Sequence, residues 1–242
     1  MRVVPPSETP PSLLRVTIRR ATVTGRFFLV YGSVVSVVLG VSLVLAAGKG
    51  SFESVFPLFF PIFGVMGSMG GLVVYANDRT KGVLEYLLAY GFSPRRLFAN
   101  VLATALALAS IVLAVGIGAG VGLYVAKGHT FTAQLALALG IYAVPMTLAS
   151  AAFAATVGVY WTALSSPRQG MNSPIGLVPF IGILPSLVTL GVVVELGLTG
   201  RTSGLAIIEV LASAMALMAA VVLVLLASIG RLLRRERMLS PA

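Results

Sequence analysis

Six stretches of this chain, residues 27–47, 55–75, 97–125, 131–164, 175–194 and 205–229, run for twenty or more residues almost without charge. No ordinary soluble fold needs such runs. A hydrocarbon core about 30 Å thick is crossed by about 20 apolar residues of α-helix, and each backbone polar group inside it must be satisfied within the helix. The 242 residues are 58% hydrophobic and only 10% charged, which leaves no material for a separate soluble domain. The expected fold class is therefore all-α: one compact polytopic membrane domain with six transmembrane helices.

The charges follow the membrane. With the N-terminus in the cytoplasm, the inner side receives Arg2, Arg15, Arg19, Arg20, Arg26, Arg79, Lys81, Arg95, Arg96, Arg168, Arg231, Arg234, Arg235 and Arg237, fourteen of the 17 cations. Lys49, Lys127 and Arg201 remain outside. Such a bias predicts both termini in the cytoplasm. It also accounts for the net charge of +10 without nucleic acid, since no separate basic domain exists. There is no cysteine, so neither a disulfide framework nor thiolate metal ligation is available.

Residues 1–26 begin with the proline-bearing lead "VVPPSETPPS" and continue into a segment with Leu14, Ile18 and Ala21 on one helical face and Arg15, Arg19, Thr22 and Arg26 on another. That pattern predicts an amphipathic helix in the headgroup region, an interfacial elbow before the first span. The apolar run that follows is too long for a secretory signal core, so it is read as a span. The expected organisation is a cytoplasmic lead and elbow over 1–26, a transmembrane domain over 27–230, and a basic cytoplasmic tail over 231–242.

The most charged stretch, "NDRTKGVLEYLLAYGFSPRRLF" at 77–98, lies between the second and third spans. Asp78, Lys81 and Glu85 recur at helical spacing, with Val83, Leu84, Leu87 and Leu88 opposite, which predicts an amphipathic helix from Asp78 to Tyr90. Gly91 suits a left-handed helix stop, and Ser93 with Pro94 reads as the N-cap and first residue of the next helix, carrying Arg95 and Arg96 to the surface. A solvated loop obeying the inside rule accounts for the cations. It does not account for Asp78, Glu85 or the stop and start chemistry.

The string "DRTKGVLEYLLAYGFSPRRLF", set after the second of six spans, resembles the pattern at that place in the permease subunits of type 2 ABC exporters. Asp78 and Arg79 match the family's charged lead, Gly82 and Glu85 its Gly and Glu, Leu87 and Leu88 its leucine pair, and Ser93 its serine. Val83 stands where Thr is usual and Gly91 where Pro is usual. The resemblance implies that the cytoplasmic hairpin 77–96, through Asp78, Arg79, Lys81, Gly82, Glu85, Ser93 and Arg95, docks on a separate ATP-binding cassette subunit. It further implies a second permease copy or homologue, a plasma-membrane location, and no cofactor in this chain, ATP and magnesium belonging to the partner. "GKGS" at 48–51 is no phosphate loop: Leu43 occupies the place of its first glycine, and no strand precedes it.

Within the spans, Gly64, Gly67, Gly71, Gly116 and Gly120 are candidates for close helix packing or a dimer contact, and the spacings Gly67 to Gly71, Gly116 to Gly120 and Gly118 to Gly122 fit the small-x-x-x-small pattern. Pro145, Pro179 and Pro185 are candidate kinks. No ionisable residue falls near a midplane; Glu195 and Glu209 sit shallow, which disfavours an ion-coupled secondary transporter. His129, the sole histidine, reads as a solvated loop residue, and Met66 breaks any nucleophile motif around Ser68, so no catalytic set is expected. The leading expectation is an ATP-driven exporter permease with an amphiphilic cargo. A secondary transporter or channel, or a non-transporting assembly factor, stands beside it.

Overall fold

The computed structural model describes residues 12–46, 49–164, 183–184, 187–192, 195 and 204–232. They form α1 (Leu13–Thr24), α2 (Arg26–Ala46), α3 (Lys49–Thr80), α4 (Val83–Ala89), α5 (Pro94–Ala126), α6 (Ala133–Ala138), one wide π turn (Leu139–Ala143), α7 (Val144–Leu164) and α8 (Gly204–Leu232). Five helical stretches are long and apolar enough to cross a membrane: Arg26–Leu45, Val55–Thr80, Pro94–Ala126, Ala133–Tyr160 and Glu209–Ile229. The chain is an all-helical membrane protein among its described residues. The expected span 175–194, with Pro179, Pro185, Arg168 and Arg201, lies mostly or wholly outside them, as does the tail beyond 232.

α3 is the hub. Of its most apolar stretch 78% is buried, against 22% for α2 and 17% for α8, so α3 is wrapped by protein while the other two turn most of their surface outward. Small residues permit this. A Cβ built on Gly67 would lie 3.0 Å from the Leu108 carbonyl oxygen of α5, and one on Gly64 would lie 2.0 Å from Thr147 Cγ2 of α7. Gly116 and Gly120 of α5 likewise sit against Phe60 and Phe56 of α3. Because bilayer lipid is as apolar as the side chains, such close backbone approach is what holds spans together. Hydroxyls inside the bundle bond to their own helices: Thr104 to the Asn100 carbonyl at 2.8 Å and Thr156 to the Ala152 carbonyl at 2.7 Å.

Two prolines besides the expected ones, Pro57 and Pro61, lie inside α3, where each withholds an N–H from the carbonyl four residues earlier. At Pro145 the helix does not simply bend. The preceding turn widens to π geometry, with the Val144 N–H reaching the Leu139 carbonyl, so the proline ring avoids the carbonyl it would otherwise strike.

α1 meets the bundle through a side that its amphipathic pattern does not mark. Thr17 and Ala21 are buried and Leu13 is half-buried, whereas Leu14 is exposed. The cause is tertiary: the Gly25 and Gly70 backbones meet so closely that a Cβ on Gly25 would lie 2.5 Å from Gly70 Cα, and the Asn100 amide donates to Thr17 Oγ1 at 2.6 Å. Those contacts turn the Leu13, Thr17 and Ala21 side inward.

Candidate functional site

The stretch 77–98 forms a hairpin, but not the single amphipathic helix that its spacing suggests. α3 continues through Asp78 to Thr80; Lys81 and Gly82 turn, with Gly82 at φ 72°, and α4 starts at Val83. The left-handed glycine breaks the helical relation of Asp78 and Lys81 to Glu85. The second half behaves as its local chemistry dictates. Gly91 takes φ 88°, Ser93 Oγ accepts the Arg96 N–H at 3.3 Å, and Pro94 opens α5.

This break separates the expected site residues. Asp78 is buried, and Arg20 of α1 binds its carboxylate with both guanidinium nitrogens, Nη1 to Oδ2 at 3.0 Å and Nη2 to Oδ1. It therefore does not share a water-facing surface with Glu85; it ties α1 to the end of α3. Arg79 is half-buried at that same end. Lys81, Glu85, Ser93, Arg95 and Arg96 are exposed. The Glu85 carboxylate lies over Gly82, its Oε2 3.7 Å from where a Cβ would stand, in the first turn of α4, and no ion pair joins it to Lys81 among the described residues. A carboxylate there complements the N-terminal end of a helix.

Sequence reading passed over the most exposed aromatic feature of the hairpin. Tyr86 and Tyr90 are 60% and 69% exposed, their rings 4.5 Å apart and their hydroxyls joined at 2.9 Å. That hydrogen bond, with some desolvation, raises the Tyr86 phenol above its ordinary pKa. Arg96 sits over the Phe92 ring at 5.4 Å. The signal was present as Tyr at i and i+4 on the side of α4 opposite Leu84 and Leu88.

The base of the hairpin is firmly seated. Leu84 and Leu88 join a buried cluster with Tyr75 of α3, Leu97, Phe98 and Val101 of α5, Ala154 and Val159 of α7 and Ile229 of α8. That cluster joins α4 to the ends of α3 and α5 and runs on into α7 and α8.

At the opposite end of α3 stands a second polar group. Glu53 is 7% exposed, and the buried Tyr124 hydroxyl of α5 donates to its Oε1 at 2.9 Å. Phe52 stacks on Tyr124 at 4.4 Å, and His129 stacks on the same ring at 4.6 Å, so His129 is half-buried rather than a freely solvated loop residue. Lys49 and Ser51 of the "GKGS" segment belong to the start of α3. Ser68 is buried and donates to the Val65 carbonyl of its own helix at 2.6 Å. Among the described residues no three acidic or histidine side chains converge as a metal set. No family model, curated protein or solved structure matches this chain.

Proposed function

We propose that this chain is the membrane-spanning permease half of an ATP-driven exporter of the type 2 ABC class, with the hairpin 77–96 as its cytoplasmic coupling element. One observation carries the reading: the α4 hairpin presents Glu85, Tyr86 and Tyr90 outward while Leu84 and Leu88 sit in a buried cluster that residues of four spans share. A protruding, charged and aromatic knob on a fixed base suits the transfer of motion from a soluble subunit. The ATP-binding partner, its ATP and magnesium, the plasma membrane and an amphiphilic cargo belong to this proposal. So does a second permease copy. Gly64, Gly67, Gly71, Gly116 and Gly120 are already filled by α5, α7 and α3 side chains and backbone within the protomer, so that copy would meet the more exposed α2 or α8.

Affinity capture of the tagged chain from its native membrane tests the reading. It expects a co-purifying soluble subunit with a phosphate-binding loop, and ATP hydrolysis by the pair but not by the chain alone. Hydrolysis by the chain alone, or capture with no nucleotide-binding subunit, overturns it. A second reading has one observation in its favour: Glu53, just before the span of α3, is a carboxylate buried in protein and held by the Tyr124 hydroxyl. Uptake or efflux in proteoliposomes that requires a proton or sodium gradient, needs no ATP and is abolished by Glu53→Gln would support that reading over the first.

A further inference from the structure

α1 holds Arg15, Arg19 and Arg20 and no carboxylate, and Arg26 opens α2 directly after it. Asp78 matches Arg20. Arg15, Arg19 and Arg26 are exposed, and no ion pair joins them to a carboxylate among the described residues. At about 100° per residue, Arg15 and Arg19 fall on the side of α1 opposite Thr17 and Ala21, which are buried against the bundle. That side looks away from the protein. Past Arg19 the surface turns apolar in a single line: Val23, Phe27 and Tyr31 follow it at successive steps of one helical turn. Val23 is 69% and Phe27 67% exposed, and the Phe27 ring stacks on the exposed Tyr31 at 5.7 Å. Gly25 does not interrupt the line, because its N–H reaches the Ala21 carbonyl at 2.8 Å and its own carbonyl accepts the Leu29 N–H at 3.3 Å. The level along the bundle is also fixed. Arg26 begins the α2 span, Gly25 meets Gly70 of α3, and Arg20 binds Asp78 two turns further along α3. α1 therefore rises over about 12 Å from the level where that span ends, and a head-group layer of about 5–8 Å starts at the same level.

We infer that this line is the seat of one anionic phospholipid, its phosphate on Arg19 between Arg15 and Arg26 and an acyl chain along Val23, Phe27 and Tyr31. The order of the chemistry is that of the lipid, cation first and apolar surface after it. From Arg19 to Tyr31 is about 18 Å of helix, against about 15 Å for the chains of one leaflet. A guanidinium meets a phosphate with two parallel N–H bonds, and a head group without an ammonium leaves the charge of the three unmatched arginines to be answered by the phosphate alone. An acidic face of a soluble protein would answer Arg15 and Arg19 but leave Val23, Phe27 and Tyr31 bare; a lipid covers both. The inference is independent of the exporter reading.

The test takes the full chain from nanodiscs of equal parts phosphatidylglycerol and phosphatidylcholine into mild detergent and counts the lipids that stay bound by native mass spectrometry. The expected result is retention of phosphatidylglycerol over phosphatidylcholine by at least about fivefold, and a preference cut about fivefold in Arg19→Gln, the effect of one cation near an anionic surface. Arg19→Lys, which keeps the charge, should keep the preference. Phe27→Ala should lower retention of both lipids together, and Arg96→Gln, on the hairpin, should change neither. If Arg19→Gln does not fold, washing the wild-type chain in about 0.5 M salt reads the same contact, because screening should remove the preference. Equal retention of the two lipids by the wild-type chain, a preference that survives Arg19→Gln or the salt wash, its loss in Arg96→Gln, or displacement of the lipid by glycerol phosphate, a head group without chains, each overturns the inference.

Discussion

Arg20 and Asp78 form an ion pair whose two ends have unequal access to water: the Arg20 side chain is 42% exposed and the Asp78 side chain 11%. Removing one partner therefore differs from removing the other. Arg20→Ala strands a buried carboxylate, for which the loss is about 3 kcal/mol, at the low end of broken buried pairs because some solvent access remains. At about 2–4 °C per kcal/mol for a chain of this length, the midpoint of thermal unfolding should fall by about 6–12 °C. Asp78→Ala strands a guanidinium that can turn to water, so its loss should be about 1 kcal/mol, or about 2–4 °C. The double variant should resemble Asp78→Ala, because removing Asp78 also removes the penalty that Arg20→Ala created. Heating detergent-solubilised protein and reading the folded fraction by size-exclusion chromatography gives the three midpoints. If Asp78→Ala is the more damaging single change, or the double variant falls below Arg20→Ala, the pair does not hold α1 to α3 as argued.

Glu85→Arg should leave expression and the unfolding midpoint near wild type, since Glu85 is exposed and unpaired with Lys81; on the proposed function it should abolish capture of the ATP-binding subunit, like-charge contacts in an interface being worth several kcal/mol, and retained capture with normal transport removes Glu85 from the coupling surface. Tyr86→Cys, at a position 60% exposed in a chain with no native cysteine, should react with an impermeant maleimide only after the cells are opened, and labelling of intact cells reverses the topology. Gly67→Ala should destabilise by about 1–3 kcal/mol, because the new methyl meets backbone atoms of Leu108 and Ala109 that cannot move aside. Gly118→Ala, with nothing within 4 Å, should be neutral or stabilising by up to about 1 kcal/mol; comparable losses at both sites in a thermal-shift assay contradict the packing described here.

What was legible in the chain was whatever local chemistry decides. The Ser93 cap, the Pro94 start and the Gly91 stop depend on neighbouring residues alone, and they stand in the structure where the sequence reading put them. Apolar length likewise identified the spans that fall among the described residues. The break at Gly82 was not legible, because the polar spacing of Asp78, Lys81 and Glu85 continues across it and only the seating of Leu84 and Leu88 in the cluster below α4 favours a turn over a straight helix. The side of α1 that meets the bundle was not legible for a similar reason: Leu13, Thr17 and Ala21 are no more apolar than Leu14, Ile18 and Ala21, and the choice rests on the Gly25 to Gly70 contact and the Asn100 bond. Glu53 escaped notice because it sits beside Lys49 in what reads as a polar loop, and only the fold brings Tyr124 over it.

The wide turn ahead of Pro145 also acts as a phase shifter. One additional residue in a helix rotates everything after it by about 100° relative to everything before it, so the π turn at Leu139–Ala143 lets α6 and α7 choose their inward sides separately. Leu135 and Leu139 face the aromatic group around Phe56 and Tyr124, while Met146 and Ala152 face α8 through Leu211 and Met218. Deleting Gly140, whose own position touches nothing within 4 Å, would remove the wide turn, press the Pro145 ring on the turn before it and set the two halves in one phase. Either Leu135 or Met146 would then point away from its neighbours, and a single codon lost at a glycine with no contacts would unseat a helix at its far end.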